Sequence, residues 1–197
     1  MAGKPNSRES IVDTASKLFF KQGYHGTGLN QIIKESCCPK GSLYYYFPEG
    51  KEELALECIH RTKLIVADKW NDVFEKVPDP VQAVRQFIEN MADEALKSNF
   101  EGFIPFSFWM AVETSAISNS MREACQSVLA DWQHIISSRL LKEGLKKQQA
   151  DETAEVLLSM LEGSLILAQT NRDTSHILLI SKYAGLLLNE VLGRTQT

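Results

Sequence analysis

The chain has 197 residues, 44% hydrophobic and 23% charged, which is enough to bury a sizeable core and short for two large domains; disordered, collagen-like and disulfide-stapled classes are excluded. No stretch approaches the roughly eighteen apolar residues that a bilayer crossing needs, and Met1 to Arg8 is polar with no apolar signal-peptide core, so a soluble cytoplasmic protein without a membrane partner is expected. The net charge is −4, yet residues 1–51 hold seven Lys and Arg against four Asp and Glu, a net +3 that leaves −7 for the remainder. A basic head on an acidic body suits an N-terminal anion-binding module. Without an export signal, Cys37, Cys38, Cys58 and Cys125 read as reduced thiols.

The periodicity is helical from the start, and the predicted fold is all-α with about nine helices. Ile11, Ala15, Leu18 and Phe19 recur at helical spacing, with Ser7 available as N-cap and Gly23 as the stop. Leu29, Ile32 and Ile33 mark a short second helix that Thr27 is placed to cap, ending near Ser36. Pro39 suits the first turn of a third short helix, whose apolar side is supplied by Leu43 to Phe47.

Lys51 to Lys76 contains neither Gly nor Pro and carries Val66, Trp70, Val73, Phe74 and Val77 at helical spacing, so it reads as one long helix. Asp79, Pro80 and Gln82 then form an N-cap, an N1 proline and an N3 partner, opening a helix with Val81, Val84, Ile88, Met91 and Ala95 as its buried stripe. After the break at Asn99 to Gly102, Phe103 to Thr114 is short, aromatic and helical in pattern. Ser118 or Ser120 caps the next helix, with Met121, Cys125, Val128, Trp132, Ile135 and Leu140 on one face.

The last two helices, Asp151 to Thr170 and Thr174 to Leu192, are each apolar on two sides. One set of stripes is Leu157, Leu161 and Leu165 with Ile180, Ala184, Leu187 and Val191; the other is Val156, Met160 and Leu167 with Leu179, Tyr183 and Leu186. A helix apolar on two sides is buried on two sides, and a second copy of the chain is the simplest cover. The first set is taken as the homodimer interface.

The third helix carries the function. Lys40-Gly41-Ser42-Leu43-Tyr44-Tyr45-Tyr46-Phe47 puts a cation, a side-chain-free position, a hydroxyl and three phenols on one short element, too many polar groups for a buried helix. In a major groove, Lys and Ser can bond base edges or phosphates, Gly41 permits close backbone approach, and tyrosine hydroxyls reach phosphates. For Tyr45, phosphate contact and support of the helix remain alternatives.

With Ile11, Ala15, Leu18, Phe19, Gly23, Tyr24, Thr27, Ile32, Lys51 and Leu54 in order around it, this segment resembles the helix-turn-helix of TetR-type transcriptional repressors. The run Phe47-Pro48-Glu49-Gly50-Lys51 and the later Leu161-Glu162-Gly163 are similar to the LmrA/YxaF-like branch. The resemblance implies a helix-turn-helix domain over 1–50 and a helical ligand-binding and dimerisation domain over 51–197. It implies Lys40, Ser42, Tyr44 and Tyr46 as the groove-facing set, and Thr27 and Lys51 as phosphate contacts at helix N-termini. It departs from the family at Cys37-Cys38-Pro39, where a small or glycine turn and a polar cap are usual.

The composition and this resemblance together suggest an apolar effector cavity lined by Met91, Phe103, Phe106, Trp109, Met110, Trp132 and Met160, with Glu113 or Asn171 as a polar handle. The expected partners are a palindromic double-stranded operator, a small hydrophobic effector and a second copy of the chain, with no cofactor or metal. Phosphate-loop, nucleophile-elbow and zinc-protease motifs are missing, which speaks against an enzyme. The alternative function is a helical protein-interaction module without specific DNA binding.

Overall fold

The computed structural model describes residues 7–101, 112–113 and 118–194. They form eight helices: α1 Ser7–Gly26, α2 Leu29–Glu35, α3 Lys40–Tyr46, α4 Lys51–Lys76, α5 Pro80–Lys97, α6 Asn119–Lys142, α7 Lys147–Asn171 and α8 Ser175–Val191. No strand occurs among the described residues. The remaining candidate helix, Phe103 to Thr114, lies largely outside them, although Val112 and Glu113 are helical. The chain divides into two compact units, residues 1–63 with 105–128 and residues 64–104 with 129–197; α4 and α6 contribute to both.

In the first unit, α1 packs on α2 and α3. Ile11, Val12, Ala15, Leu18 and Phe19 of α1 are buried, as are Ile32, Leu43, Phe47 and Leu54. At Gly23 the backbone turns left-handed, with φ 76°, and breaks the helical run; this conformation favours glycine because a Cβ would crowd the following carbonyl. The half-exposed ion pairs Arg8–Glu57, at 2.8 Å, and Arg61–Asp13 join α1 to α4. Such solvated pairs fix register more than they stabilise.

Two local expectations shift by a residue. Gly28, rather than Thr27, is the N-cap of α2, and Pro39 is the N-cap of α3 rather than its first helical residue. Cys37 takes the left-handed conformation at φ 54° between them, where the family pattern has its small residue.

In the second unit, α5 begins as its sequence dictates: the Asp79 carboxylate accepts a 2.8 Å hydrogen bond from the Gln82 N–H, and Pro80 is the first helical residue. The predicted stripe Val81, Val84, Ile88, Met91 and Ala95 is buried throughout. Phe87 stacks on Trp70 with ring centroids 3.5 Å apart. α8 packs against both α5 and α7. On α6, Ile136 rather than Ile135 takes the fully buried position after Trp132.

The two apolar faces of α7 and α8 are assigned in the reverse of the expected sense. Leu157, Leu161, Leu165 and Ala184, expected at a dimer interface, are buried within the protomer, and Ile180, Leu187 and Val191 are only partly exposed. The face left open carries Val156, Leu167, Leu179 and Tyr183, each roughly half exposed. Helical periodicity identifies both stripes but contains nothing that says which of them is covered within the protomer.

Candidate nucleic-acid interface

The short helix α3 is anchored from below and open above. Leu43 is completely buried and Phe47 nearly so, which fixes the rotation of the helix and turns the remaining positions outward. Lys40, Gly41, Tyr44 and Tyr45 are exposed, and Ser42 and Tyr46 are partly so. Tyr45 is 79% exposed and Tyr44 43%. The Lys40 ammonium lies 5.9 Å from the Tyr44 ring centroid, and the Tyr45 and Tyr46 rings meet edge to face at 5.0 Å. The exposure of Tyr45 favours an outward contact over support of the helix. One surface thus presents a cation, a hydroxyl and phenols, the set that bonds to phosphates and base edges.

Beside it, Lys51 opens α4 with its ammonium 4.2 Å from the centre of the Tyr24 ring. Burial pulls the Lys51 pKa down, and the negative charge of Glu113 works in the opposite sense. Glu113 itself accepts a 2.7 Å hydrogen bond from the Tyr24 backbone N–H. The next residue of α4, Glu52, accepts from Ser118 Oγ at 2.7 Å and from Ser120 Oγ. Those two hydroxyls hold the Glu52 carboxyl below its ordinary pKa. Ser118 also caps α6 by accepting from the Met121 N–H at 3.3 Å. Within one compact unit, Glu113 is therefore tied to the end of α1, and the start of α4 is tied through Glu52 to Ser118 and Ser120.

Three of the residues singled out from the sequence take other roles. Thr27 is fully buried and its hydroxyl donates to the Gly23 carbonyl at 2.7 Å, so its side chain faces the turn rather than an outside phosphate. Glu113, expected as an effector handle, spends its carboxylate on Tyr24. Asn171 is exposed at the end of α7, where its amide donates to the Leu167 carbonyl at 3.0 Å. An asparagine at a helix end bonds its own backbone more readily than it reaches inward.

Of the remaining pocket candidates, Met91 and Trp132 are buried and Met160 is partly exposed. Phe103, Phe106, Trp109 and Met110 lie outside the described residues. The sequence reading missed the Glu113–Tyr24 and Glu52–Ser118 links. Each joins residues far apart in the chain, and the one local signal was Gly23 at the end of α1.

The comparisons with known proteins agree with this geometry. Residues 11–58 match the bacterial regulatory proteins of the tetR family, and residues 80–183 match the C-terminal domain of LmrA/YxaF-like transcriptional regulators. The chain is 39% identical to the uncharacterized HTH-type transcriptional regulator YxaF of Bacillus subtilis, over 96% of this chain and 99% of the relative. It is also 39% identical to the HTH-type transcriptional regulator LmrA of the same organism, over 89% of this chain and 93% of the relative. A TetR transcriptional regulator from Legionella pneumophila shares the fold, with a TM-score of 0.83 at 18% identity over 93% of this chain and 98% of that one. An outward recognition helix, the two matched segments and near full-length relatives place the chain in the TetR family of transcriptional regulators, in its LmrA/YxaF-like branch, among DNA-binding proteins rather than enzymes.

Proposed function

We propose that the protein is a ligand-responsive repressor that binds a palindromic operator as a homodimer and is released by a small hydrophobic effector. Residues 1–50 form the reading head, and residues 51–197 sense the ligand and dimerise. The observation that carries the reading is the orientation of α3: Leu43 and Phe47 point in, while Lys40, Tyr44 and Tyr45 point out. Lys40, Gly41, Ser42, Tyr44, Tyr45 and Tyr46 meet the groove, and Lys51 meets a phosphate.

The open apolar face of α7 and α8, with Val156, Leu167, Leu179 and Tyr183, supports dimerisation. Isologous pairing covers the same patch on both copies and duplicates the reading head. Two heads then read half-sites about one helical turn, ~34 Å, apart. An effector shifts the equilibrium only by binding the conformation released from DNA more tightly. Action on DNA supports a cytoplasmic location, and no described helix is long and apolar enough to cross a membrane.

Selection of bound sites from random duplexes tests the proposal. It should recover an inverted repeat whose affinity falls steeply with salt, because Lys and Arg displace counterions from phosphates. Recovery of no preferred sequence at any salt concentration would refute it.

A further inference from the structure

Cys37 and Cys38 stand side by side in the turn that joins α2 to α3. Cys37 is exposed and Cys38 partly so, whereas Cys58 and Cys125 are buried. Burial pushes the Cys58 thiol up to about 12 and the Cys125 thiol up to about 11, which keeps both protonated and inert. The turn therefore carries the accessible thiols of the chain.

Both sulfurs lie against the same end of α2. Cys37 Sγ is 4.0 Å from the Glu35 carbonyl oxygen, and Cys38 Sγ is 3.4 Å from the carbonyl oxygen of Ser36, the next residue. Cys38 Sγ also donates towards the Ser7 carbonyl at 3.6 Å, and Ser10 Oγ donates to the Ser36 carbonyl at 3.1 Å, so the turn is fastened to the start of α1. A thiol donating to a carbonyl stays protonated, and the protonated form is a poor nucleophile towards an oxidant. A direct disulfide would also have to draw the sulfurs of neighbouring residues to about 2.05 Å across a single peptide unit. No group of three or more His, Cys, Asp or Glu side chains suited to a metal ion occurs among the described residues, so a four-ligand zinc cage lacks its donors. What the pair offers is two soft donors on one side of a turn.

We propose that Cys37 and Cys38 form a dithiol site for a monosubstituted trivalent arsenical, and that its capture lowers operator affinity. Such a centre is soft and pyramidal, takes two sulfurs from one side, and keeps its third bond to carbon. A linear two-sulfur ion such as Hg(II) would need the thiols opposed. In the reaction the hydrated arsenical, R–As(OH)2, gives up both hydroxyls: two S–H and two As–O bonds break, two As–S bonds form, and two waters leave. Arsenic stays trivalent, and no oxidant is consumed. Capture takes Cys38 from the Ser7 and Ser36 carbonyls, which loosens the turn from α1. It also places the R group two residues before Lys40, the exposed start of α3. The operator effect rests on the DNA-binding reading above; the chemistry of the site does not.

The test uses the full-length protein and phenylarsine oxide. Intact-mass spectrometry should show one phenylarsenic group per chain, retained against excess 2-mercaptoethanol and removed by ethane-1,2-dithiol, the signature of attachment through two sulfurs. Cys37→Ser and Cys38→Ala should each lose that retention, and Cys125→Ala should keep it. Should a variant fail to fold, tryptic mapping of the wild-type adduct decides, because residues 35–40 form one peptide that holds both thiols and no other cysteine. In gel-shift titrations, full capture should weaken operator binding roughly ten-fold or more, as contacts beside the start of α3 are displaced. Ethane-1,2-dithiol should restore it.

The assignment is overturned by no adduct, by an adduct that 2-mercaptoethanol strips, by one that maps outside residues 35–40, or by operator affinity that full capture leaves unchanged. Wild-type protein that selects no operator before arsenical is added would remove the regulatory reading and the operator effect with it. The mass measurements would then still decide the dithiol site.

Discussion

The Glu113 carboxylate holds the Tyr24 backbone N–H at 2.7 Å, immediately after the left-handed Gly23. A Cβ at Gly23 would overlap the Glu113 carboxylate. The same glycine therefore meets two demands, a positive φ and room for a side chain from ninety residues along the chain.

Gly23→Ala is expected to lose ~1–2 kcal/mol from backbone strain and about 1 kcal/mol more from displacing the Glu113 hydrogen bond. In a Glu113→Ala background only the strain remains. Urea denaturation of the two single variants and the double variant measures the difference. Equal losses in both backgrounds would show that the contact carries no energy.

On the DNA-facing side, Tyr44→Ala should weaken operator affinity about ten-fold, within the 1–3 kcal/mol of a good specific contact, and leave the dimer intact. Lys51→Ala should weaken binding to all sequences alike and lower the slope of log affinity against log salt by about 1. Leu43→Ala should instead unfold the head, because it empties a buried position and costs roughly 2–5 kcal/mol. Gel-shift titrations beside thermal melts separate the two kinds of loss.

For assembly, Leu179→Glu or Tyr183→Glu should give folded monomers by sedimentation, since both residues are about half exposed in the protomer. A charge at Leu161, which is buried within the protomer, should destabilise the fold itself. Persistence of the dimer in both exposed-face variants would refute this interface.

The Glu162 carboxyl makes stability fall as pH rises. Its folded pKa, raised by burial to about 7, lies above the ordinary 4.5, so between those values the folded protein binds the extra proton. Its contribution is most favourable below pH 4.5, declines through the window and levels off above 7. A shift of this size corresponds to ~3 kcal/mol, at about 1.4 kcal/mol for each pH unit. Glu162→Gln should therefore gain on the wild type by that order between pH 4 and pH 8 in urea denaturation. A constant difference across the range would mean that the carboxyl is solvated.

At the α5 N-terminus, Asp79 accepts from the Gln82 N–H and also pairs with Arg194. Burial raises its pKa, but these bonds outweigh burial and hold the carboxyl below its ordinary value. Asp79→Ala should cost about 1 kcal/mol through the lost cap. Asp79→Asn should retain most of the cap and lose only the weaker, half-exposed ion pair. Thermal melts of the two variants distinguish these contributions.

The sequence by itself determined the elements and the polar outer face of α3. Helical spacing, the Asp79-Pro80 start and the Gly23 stop are local signals, and local backbone preferences need no tertiary partner to be read. The polar face of α3 was legible for the same reason, because Lys40 and three tyrosines on one short helix are incompatible with full burial.

Only the tertiary structure decided which of two apolar stripes on α7 and α8 is core, and which polar residues are already committed. Leu161 and Leu179 are equally apolar, and packing of α8 against α5 and α7 separates the buried from the exposed. Thr27, Glu113 and Glu162 are polar letters in the sequence whose roles depend on what stands opposite them. The first bonds its own turn, the second bonds Tyr24 and the third has no partner among the described residues. Burial and hydrogen bonding are properties of pairs, and a sequence supplies one member of each pair at a time.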